Sequence, residues 1–599
     1  MPARESIRAQ AAARTAAVET ETPPVPTWFS GEGRPLFGWI HLPKGTTRNC
    51  GVVLCNPFGH DAMCAHRAYR DLAERLADAG FPAIRFDYDG TGDSAGSSDD
   101  PARVESWLQS IEAAIDELKA WTGVPHIALF GLRLGGLLAS TVAARRPIDA
   151  LALFGCPPSG KVYLRELRAM QGLQREARTP NSPDGESLGY AIDPTTRANL
   201  ALLDAASASG GVAARTLVIS RDGMASSDER LVKALGARGS EVRSSTTPGY
   251  AALMQDDPYK CEIPVDVWRE VVAWLESAYP TRAAIVERTR APRTVATVAS
   301  EAGVQVRESL VQIGHLFGIL AEPINANSDR PAIVVLNTGA NHHVGNNRMY
   351  VPFARDGATA GFRVMRFDFT GIGDSARDSA IPADRIYSNE CVTEVKSVLD
   401  YLEAERGARR FVLMGLCSGA YVAYHTAVAE PRVSAIVIIN LLTFHWRHGD
   451  SLDPKVGKRI KSTAFYRRTV FDSAVWKRAL KGEIELRQVL SALATRGRTR
   501  ARVAISAVVG RLAGSDASTT DVVRTIRGLC ARGTDVTVVC GADNAEEQLI
   551  EEHLGARARR LRKERRFHLD IIEATDHTMT PLSAQRELRD ILRRRVFQN

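Results

Sequence analysis

A cysteine sits where it could attack an acyl carbon. Gly415-Leu416-Cys417-Ser418-Gly419 follows the apolar run Arg410-Phe411-Val412-Leu413-Met414 and precedes Ala420–His425, which reads as a helix start. Strand, Gly-x-nucleophile-x-Gly, helix is the sequence form of a nucleophile elbow, a strained turn that holds one side chain clear of the sheet. Side chains two residues before or after the nucleophile would strike neighbouring backbone, so those positions require glycine. Around Cys417 they are Gly415 and Gly419; around Ser418 they are Leu416 and Ala420. The register therefore favours Cys417 over the more usual serine. A thiolate is a strong nucleophile toward acyl groups. The plain alternative is a buried structural cysteine after a core strand. It does not account for both glycines.

The turn belongs to a repeat. Arg85-Phe86-Asp87-Tyr88-Asp89-Gly90-Thr91-Gly92-Asp93-Ser94 returns as Arg366-Phe367-Asp368-Phe369-Thr370-Gly371-Ile372-Gly373-Asp374-Ser375, 281 residues later. Leu36-Phe37-Gly38 returns as Leu316-Phe317-Gly318, and Phe130–Gly136 aligns with Met414–Ala420, at offsets of 280 and 284. Near-equal offsets in one order mean two copies of a domain-sized unit. The copies differ where chemistry would sit. Arg133 holds the nucleophile position of the first copy, and a guanidinium stays protonated. No histidine lies between residues 127 and 314, so Asp222, in a turn that matches the acid position, has no base to orient. The first copy reads as a degenerate half that packs against the second or helps form its site. Two roles stay open for Arg133: holding an anionic substrate group, or sitting in a buried ion pair.

β-branched runs alternate with amphipathic segments, as expected of a mostly parallel sheet with helices on both faces. One such segment, Ala65–Gly80, places Leu72, Leu76 and Ala77 on one side. The G-x-G-D-S turn after an R-F-D strand, present twice, and the Gly-x-Cys-x-Gly elbow resemble the α/β-hydrolase fold, near the serine-aminopeptidase-like hydrolases. The resemblance covers most of residues 30–599. It implies an α/β chain of two tandem α/β-hydrolase domains, with a helical lid in the second. It also implies that an acid and then a histidine follow the nucleophile. Asp543 ends the strand-like segment from Asp535, and His577 ends the one from Phe567. They are the candidate acid and base. His568 lies inside its strand, and Asp576, the rival acid, is adjacent to His577 and expected to face elsewhere. The oxyanion hole should use the Ser418 N–H and one from the loop after Ala332–Leu336, with Thr338 or Gly339 as donor. His342 and His343 are adjacent and point apart with no accompanying cluster, so no metal and no cofactor are expected.

Within this fold a cysteine elbow resembles dienelactone hydrolases, polyhydroxyalkanoate synthases and bile-acid-type acyl-CoA N-acyltransferases. Two of these three transfer acyl groups from CoA thioesters, so the resemblance implies acyl transfer.

The chain of 599 residues is long enough for two such domains. The expected division is a disordered tail at 1–26, a degenerate domain at 27–278, a linker at 279–300 and a catalytic domain at 301–599 with its lid at about 441–520. No apolar run reaches the roughly 18 residues of a spanning helix. Met1–Pro26 lacks a secretory apolar core. Nine scattered cysteines without a C-x-x-C pair fit a reducing cytoplasm. The net charge of +8 is uneven: residues 441–511 hold sixteen Lys/Arg against five Asp/Glu. A basic lid would attract an acyl-CoA or an acidic acyl-carrier protein, although an exposed basic helical face reads the same way. Ala556–Arg566 is basic without interleaved aromatics, which speaks against nucleic acid. The expected function is acyl transfer, as hydrolase, thioesterase or acyltransferase, through an acyl-cysteine. The alternatives are an ester or peptide hydrolase of serine-aminopeptidase type and a non-catalytic binding scaffold.

Overall fold

The apolar runs become parallel strands in each half. The computed structural model describes residues 23–30, 34–177, 186–207, 210–255, 257–282, 290–325, 329–376, 383–446, 517–542 and 561–598. The chain divides into two compact units. Unit 1 comprises Met1–Ala326, Ala340–Gly361 and Ile372–Ser375; unit 2 comprises Asn327–Gly339, Phe362–Gly371 and Ala376–Asn599.

Unit 1 is built on strands β1 (Val25–Phe29), β2 (Leu36–His41), β3 (Cys50–Cys55), β4 (Ala83–Phe86), β5 (His126–Leu132), β6 (Ala150–Phe154), β7 (Arg215–Ile219) and β8 (Glu241–Ser245). They form one sheet in the order β1-β2-β4-β3-β5-β6-β7-β8. The pairs from β4 to β8 are parallel, while β2 runs antiparallel to β1 and to β4. Apolar clusters cover both faces. Trp107, Ile111 and Trp121 lie in one, and Tyr69, Phe130 and Trp268 lie in the other. The helix expected over 65–80 runs His60–Asp78 and buries Leu72, Leu76 and Ala77 as read.

Two expected boundaries shift. Residues 25 and 26, assigned to the tail, belong to β1, which pairs with β2 and buries Trp28 and Phe29. Pro26 is tolerated there because β1 is an edge strand. The stretch expected as linker contains β9 (Val295–Ala299), which pairs antiparallel with β10 (Gln305–Ile313). In turn β10 pairs with β11 (Leu316–Pro323). Ala296 and Val298 are buried while Val295 and Thr297 are exposed. That period of two was hidden under an Arg/Ala/Thr-rich composition. This meander falls in unit 1, so the boundary between units lies after the expected linker.

Unit 2 carries β12 (Ala332–Leu336), β13 (Val364–Phe367), β14 (Phe411–Leu416), β15 (Val433–Ile439), β16 (Asp535–Gly541) and β17 (Phe567–Ile572). They pair in parallel in the order β13-β12-β14-β15-β16-β17. This is the order that β4-β3-β5-β6-β7-β8 follows in unit 1. The strand order reverses at β12, and in such sheets the crevice beyond the carboxyl ends at this reversal is where ligands bind. Cys417 follows β14, beside the loop that leaves β12. Of the segment expected as lid, residues 447–516 lie outside the described residues.

Candidate active site

The elbow has the geometry its glycines imply. Cys417 follows β14 at φ 57° and ψ −115°, and Ser418 opens the helix Ser418–Ala429. A Cβ on Gly415 would lie 2.2 Å from the Gly419 carbonyl carbon, and one on Gly419 would lie 2.6 Å from Asn337 O. Those contacts are shorter than any packing tolerates. Cys417 is the apex of the turn and is only partly buried, while Ser418 is buried at the helix start.

Burial and three neighbouring groups act on the thiol. Burial pushes its pKa up. The charge of His577 and a hydrogen bond with it pull the other way, as do the Tyr387 hydroxyl and the Ser418 N–H. The net direction is below the ordinary thiol value. Tyr387 Oη lies 3.7 Å from Cys417 Sγ. Burial, then the charge of Cys417, hold the Tyr387 phenol well above its usual range, so it stays protonated and available as a donor.

His577 stands after β17, as the sequence placed it. Asn440, which follows β15, positions its loop: Asn440 Nδ2 donates to His577 O at 2.7 Å and Asn440 Oδ1 accepts from Gly541 N at 2.9 Å. Asp576 accepts from Thr580 N at 2.8 Å and from Thr578 Oγ1 at 3.4 Å, so it braces its own turn. His568 packs beside Arg595, at 3.2 Å. Asp543 lies outside the described residues.

On the β12 side, Asn337 ties the loop to the next strand, donating to Asp368 Oδ1 at 2.8 Å and accepting from Phe369 N at 2.9 Å. Thr338 is buried, and Gly339 turns the chain at φ 56°. The Gly339 N–H donates to Ser418 Oγ at 2.9 Å. One of the expected oxyanion donors is thus engaged by the residue after the cysteine.

Sequence reasoning passed over Tyr387, Asn440 and Trp446. Tyr387 ends the turn Ala383–Tyr387, which carries no periodic signal. Glu394 fixes that turn by pairing with Arg385 and accepting from Thr370 N and Oγ1 at 3.1 and 2.8 Å. The Tyr387 ring stacks on Trp446 at 4.3 Å and meets Tyr421 edge-on at 5.1 Å.

The corresponding turn of unit 1 carries an arginine at its apex. Arg133 sits at φ 54° and ψ −121° and is 2% exposed. It pairs with Asp61 at 3.1 Å and with Glu166, which also pairs with Arg221 at 2.9 Å. Of the two roles left open for Arg133, the buried ion pair is what forms. Asp222 accepts from the backbone N–H groups of Gly249, Tyr250 and Ala251 at 3.0, 3.4 and 2.9 Å, so a helix start takes the place of a base. His343, in unit 1, pairs with Asp93 at 2.8 Å, and His342 stacks on His66 at 3.9 Å. No helix among the described residues is long and apolar enough to cross a membrane.

A model of the alpha/beta hydrolase family matches residues 333–591, and one of the serine aminopeptidases matches residues 58–182. No curated protein matches significantly. Similar solved structures include an α/β serine hydrolase without a lid from Xanthomonas campestris, with 13% identity over 44% of this chain and 98% of that one, TM-score 0.29. A proline iminopeptidase from Mycobacterium smegmatis shares 16% over 42% of this chain and 98% of its own, TM-score 0.29. Est1E from Butyrivibrio proteoclasticus, with ferulic acid bound, shares 18% over 42% and 98%, TM-score 0.31. One family match falls in each half, each half holds a parallel sheet of the same strand order, and the chain belongs to the α/β-hydrolase superfamily.

Proposed function

We propose that the chain is an acyl-transfer enzyme working through an acyl-cysteine on Cys417, with a thioester or ester as donor. The observation that carries this reading is a thiol at the apex of the elbow whose pKa is drawn down by His577 and Tyr387. The Cys417 thiolate attacks the acyl carbonyl carbon, and the carbonyl electron pair moves onto oxygen. The N–H groups of Ser418 and of Thr338 or Gly339 hold that oxyanion. For Gly339 this requires the Ser418 hydroxyl to turn off its N–H. Collapse of the tetrahedral species breaks the bond to the leaving thiol or alcohol, which takes its proton from the His577 imidazolium. His577 then accepts a proton from water, an amine or an alcohol as that acceptor attacks the acyl-cysteine, and a second collapse returns the thiolate. Asp543 is assigned to orient and charge the imidazole. The basic stretch at 441–511 suits an anionic donor such as an acyl-CoA or an acidic acyl-carrier protein.

In this reading unit 1 is a pseudo-enzyme half. The serine-aminopeptidase match falls on residues 58–182, the half that holds Arg133, and so lends peptide hydrolysis no support at Cys417. Intact-mass measurement after incubation with a panel of acyl thioesters tests the proposal. An acyl adduct that Cys417→Ala abolishes is expected, and its mass names the acyl group. Absence of any adduct, with the cellular role intact in Cys417→Ala, would leave a binding scaffold. Faster turnover of simple esters by Cys417→Ser would point to a serine-type hydrolase.

A further inference from the structure

Unit 1 contains a cleft where its strand order reverses, beside β3. Residues 56–59, which leave β3, line it, as does Asp87, which follows β4. In sheets of this kind that crevice is where ligands bind. The cleft encloses about 950 Å³, open mouth included, and its wall is largely apolar, with Met63, Tyr190 and Val344 among the lining side chains.

Asp87 uses one carboxylate oxygen inside the fold: Oδ2 accepts from Asp93 N at 2.9 Å. Among the described residues Oδ1 has no hydrogen-bond partner. It is not sealed off either. The unpartnered nitrogens of Arg103 have essentially no accessible surface, whereas Asp87 Oδ1 keeps some and Asp87 is partly exposed. The repeat shows what sets this oxygen free. In unit 2 the matching acid is Asp368, and Asn337, which follows β12, donates Nδ2 to its Oδ1 at 2.8 Å. In unit 1 the matching amide is Asn56, which follows β3, and its Nδ2 donates to Phe86 O at 2.6 Å instead. Asp87 therefore presents to the cleft an oxygen that its counterpart spends on an amide. A carboxylate oxygen without a donor at a mostly apolar wall is costly, and a charged donor recovers the most.

The electrostatics favour a cation. Burial, then the charge of Asp93, raise Asp87 to about 7; Asp374 adds to this and Arg85 opposes it. Neighbouring acids outweigh the neighbouring arginine, so the potential at Asp87 is negative. The other charged groups around it are engaged. Asp374 pairs with Arg85 at 2.6 Å and lies 3.6 Å from His66, and Asp93 pairs with His343 at 2.8 Å. Arg348 donates to Gly92 O and Ser94 O at 2.8 and 2.7 Å. The Arg103 guanidinium lies over the rings of Phe58 and Trp107, 5.5 and 4.8 Å from their centroids. Burial, then the charge of His66, hold His342 well below its usual range, so it is neutral.

We propose that this cleft binds a small apolar primary amine as its ammonium ion, the ammonium on the open carboxylate oxygen of Asp87 and the carbon body against Met63, Tyr190 and Val344. The proposal does not depend on the chemistry assigned to Cys417. Calorimetric titration of the full chain tests it, with hexylamine and 2-phenylethylamine as probes against hexanol, 2-phenylethanol and hexanoate. One amine per chain should bind at pH 8, and the matching alcohol should bind at least about tenfold more weakly, given the loss of a charged pair. Affinity should fall as pH drops through about 7, because protonation of Asp87 removes the partner, and at pH 7 about half a proton should be released per amine bound. Asp87→Asn keeps an oxygen for the Asp93 N–H; it should cost the amine about tenfold or more and abolish the proton release. Met63→Trp, which narrows the cleft and leaves every charge in place, should also weaken the amines. The proposal fails if neither amine binds at roughly millimolar concentration. It fails too if an alcohol or hexanoate binds as tightly as the amine, or if affinity is unchanged in Asp87→Asn and Met63→Trp. Proton release that persists in Asp87→Asn also overturns it, since another group would then be the partner.

Discussion

Cys417 and Arg133 share one backbone conformation, φ/ψ 57°/−115° and 54°/−121°. A non-glycine residue held there costs on the order of 1–3 kcal/mol and persists only where its surroundings leave no alternative. In each half two glycines impose the turn: Gly415 and Gly419 around the cysteine, Gly131 and Gly135 around the arginine. Unit 1 has the same turn, with an ion-paired arginine at its apex.

Substitution at Cys417 separates covalent catalysis from binding. Cys417→Ala should abolish acyl labelling. Cys417→Ser should lower kcat/KM toward thioesters by about a hundredfold or more, since a hydroxyl gains far less than a thiol from a neighbouring imidazole. Stopped-flow release of the leaving thiol measures both. Undiminished labelling in Cys417→Ala would move the nucleophile elsewhere.

Tyr387→Phe should raise the pKa of the Cys417 thiol. The hydroxyl, 3.7 Å from Sγ, stabilises the thiolate and not the thiol. The wild-type thiol is held below its ordinary value, so thiolate is present above that depressed pKa and is lost as pH falls through it. The associated stability likewise appears at high pH and disappears at low pH. The rate of iodoacetamide alkylation should therefore reach half its plateau at a higher pH in Tyr387→Phe. The ring remains to stack on Trp446, so the fold should be unaffected. An unchanged alkylation profile would remove Tyr387 from the site.

What was legible in the chain follows from what is local. The elbow, the order Cys417 then His577, and the β12 loop with Gly339 are short motifs whose spacing fixes their geometry. The repeat was visible because Arg85–Ser94 and Arg366–Ser375 are nearly the same words. Tyr387 and Asn440 were not, because each reaches the site from a turn with no pattern of its own. Nor did the sequence choose between the roles of Arg133, whose partners Asp61 and Glu166 are 72 and 33 residues away. The strand Val295–Ala299 is masked by Arg/Ala/Thr-rich surroundings that hide its alternation.

Gly135→Ala should be as damaging to unit 1 as Gly419→Ala is to unit 2. A Cβ on Gly135 would lie 2.1 Å from Cys55 O, and one on Gly419 would lie 2.6 Å from Asn337 O. The blocking atoms are backbone and cannot swing aside. Each substitution should cost on the order of 3 kcal/mol or more, the range of severe overpacking. Urea unfolding measures both. A large loss in Gly135→Ala shows that these glycines serve the turn itself; a neutral result would mean that the elbow of unit 1 relaxes freely.

Arg133→Met tests whether the arginine is structural. Its guanidinium pairs with Asp61 at 3.1 Å and with Glu166, and it lies 5.4 Å from the centroid of the Tyr163 ring. Removing it leaves Asp61 buried without its charge partner, and breaking one side of a buried pair costs about 3–5 kcal/mol. Asp61→Asn in the same chain removes the orphaned charge and should return part of that loss, as a double-mutant cycle in urea will measure. Labelling of Cys417 should persist in the single variant at temperatures where the chain remains folded. If Arg133→Met is instead fully stable, and acyl labelling falls, the arginine serves a ligand and unit 1 is no bystander. Arg133→Cys should gain no acyl labelling of its own, because residues 127–314 offer the new thiol no histidine.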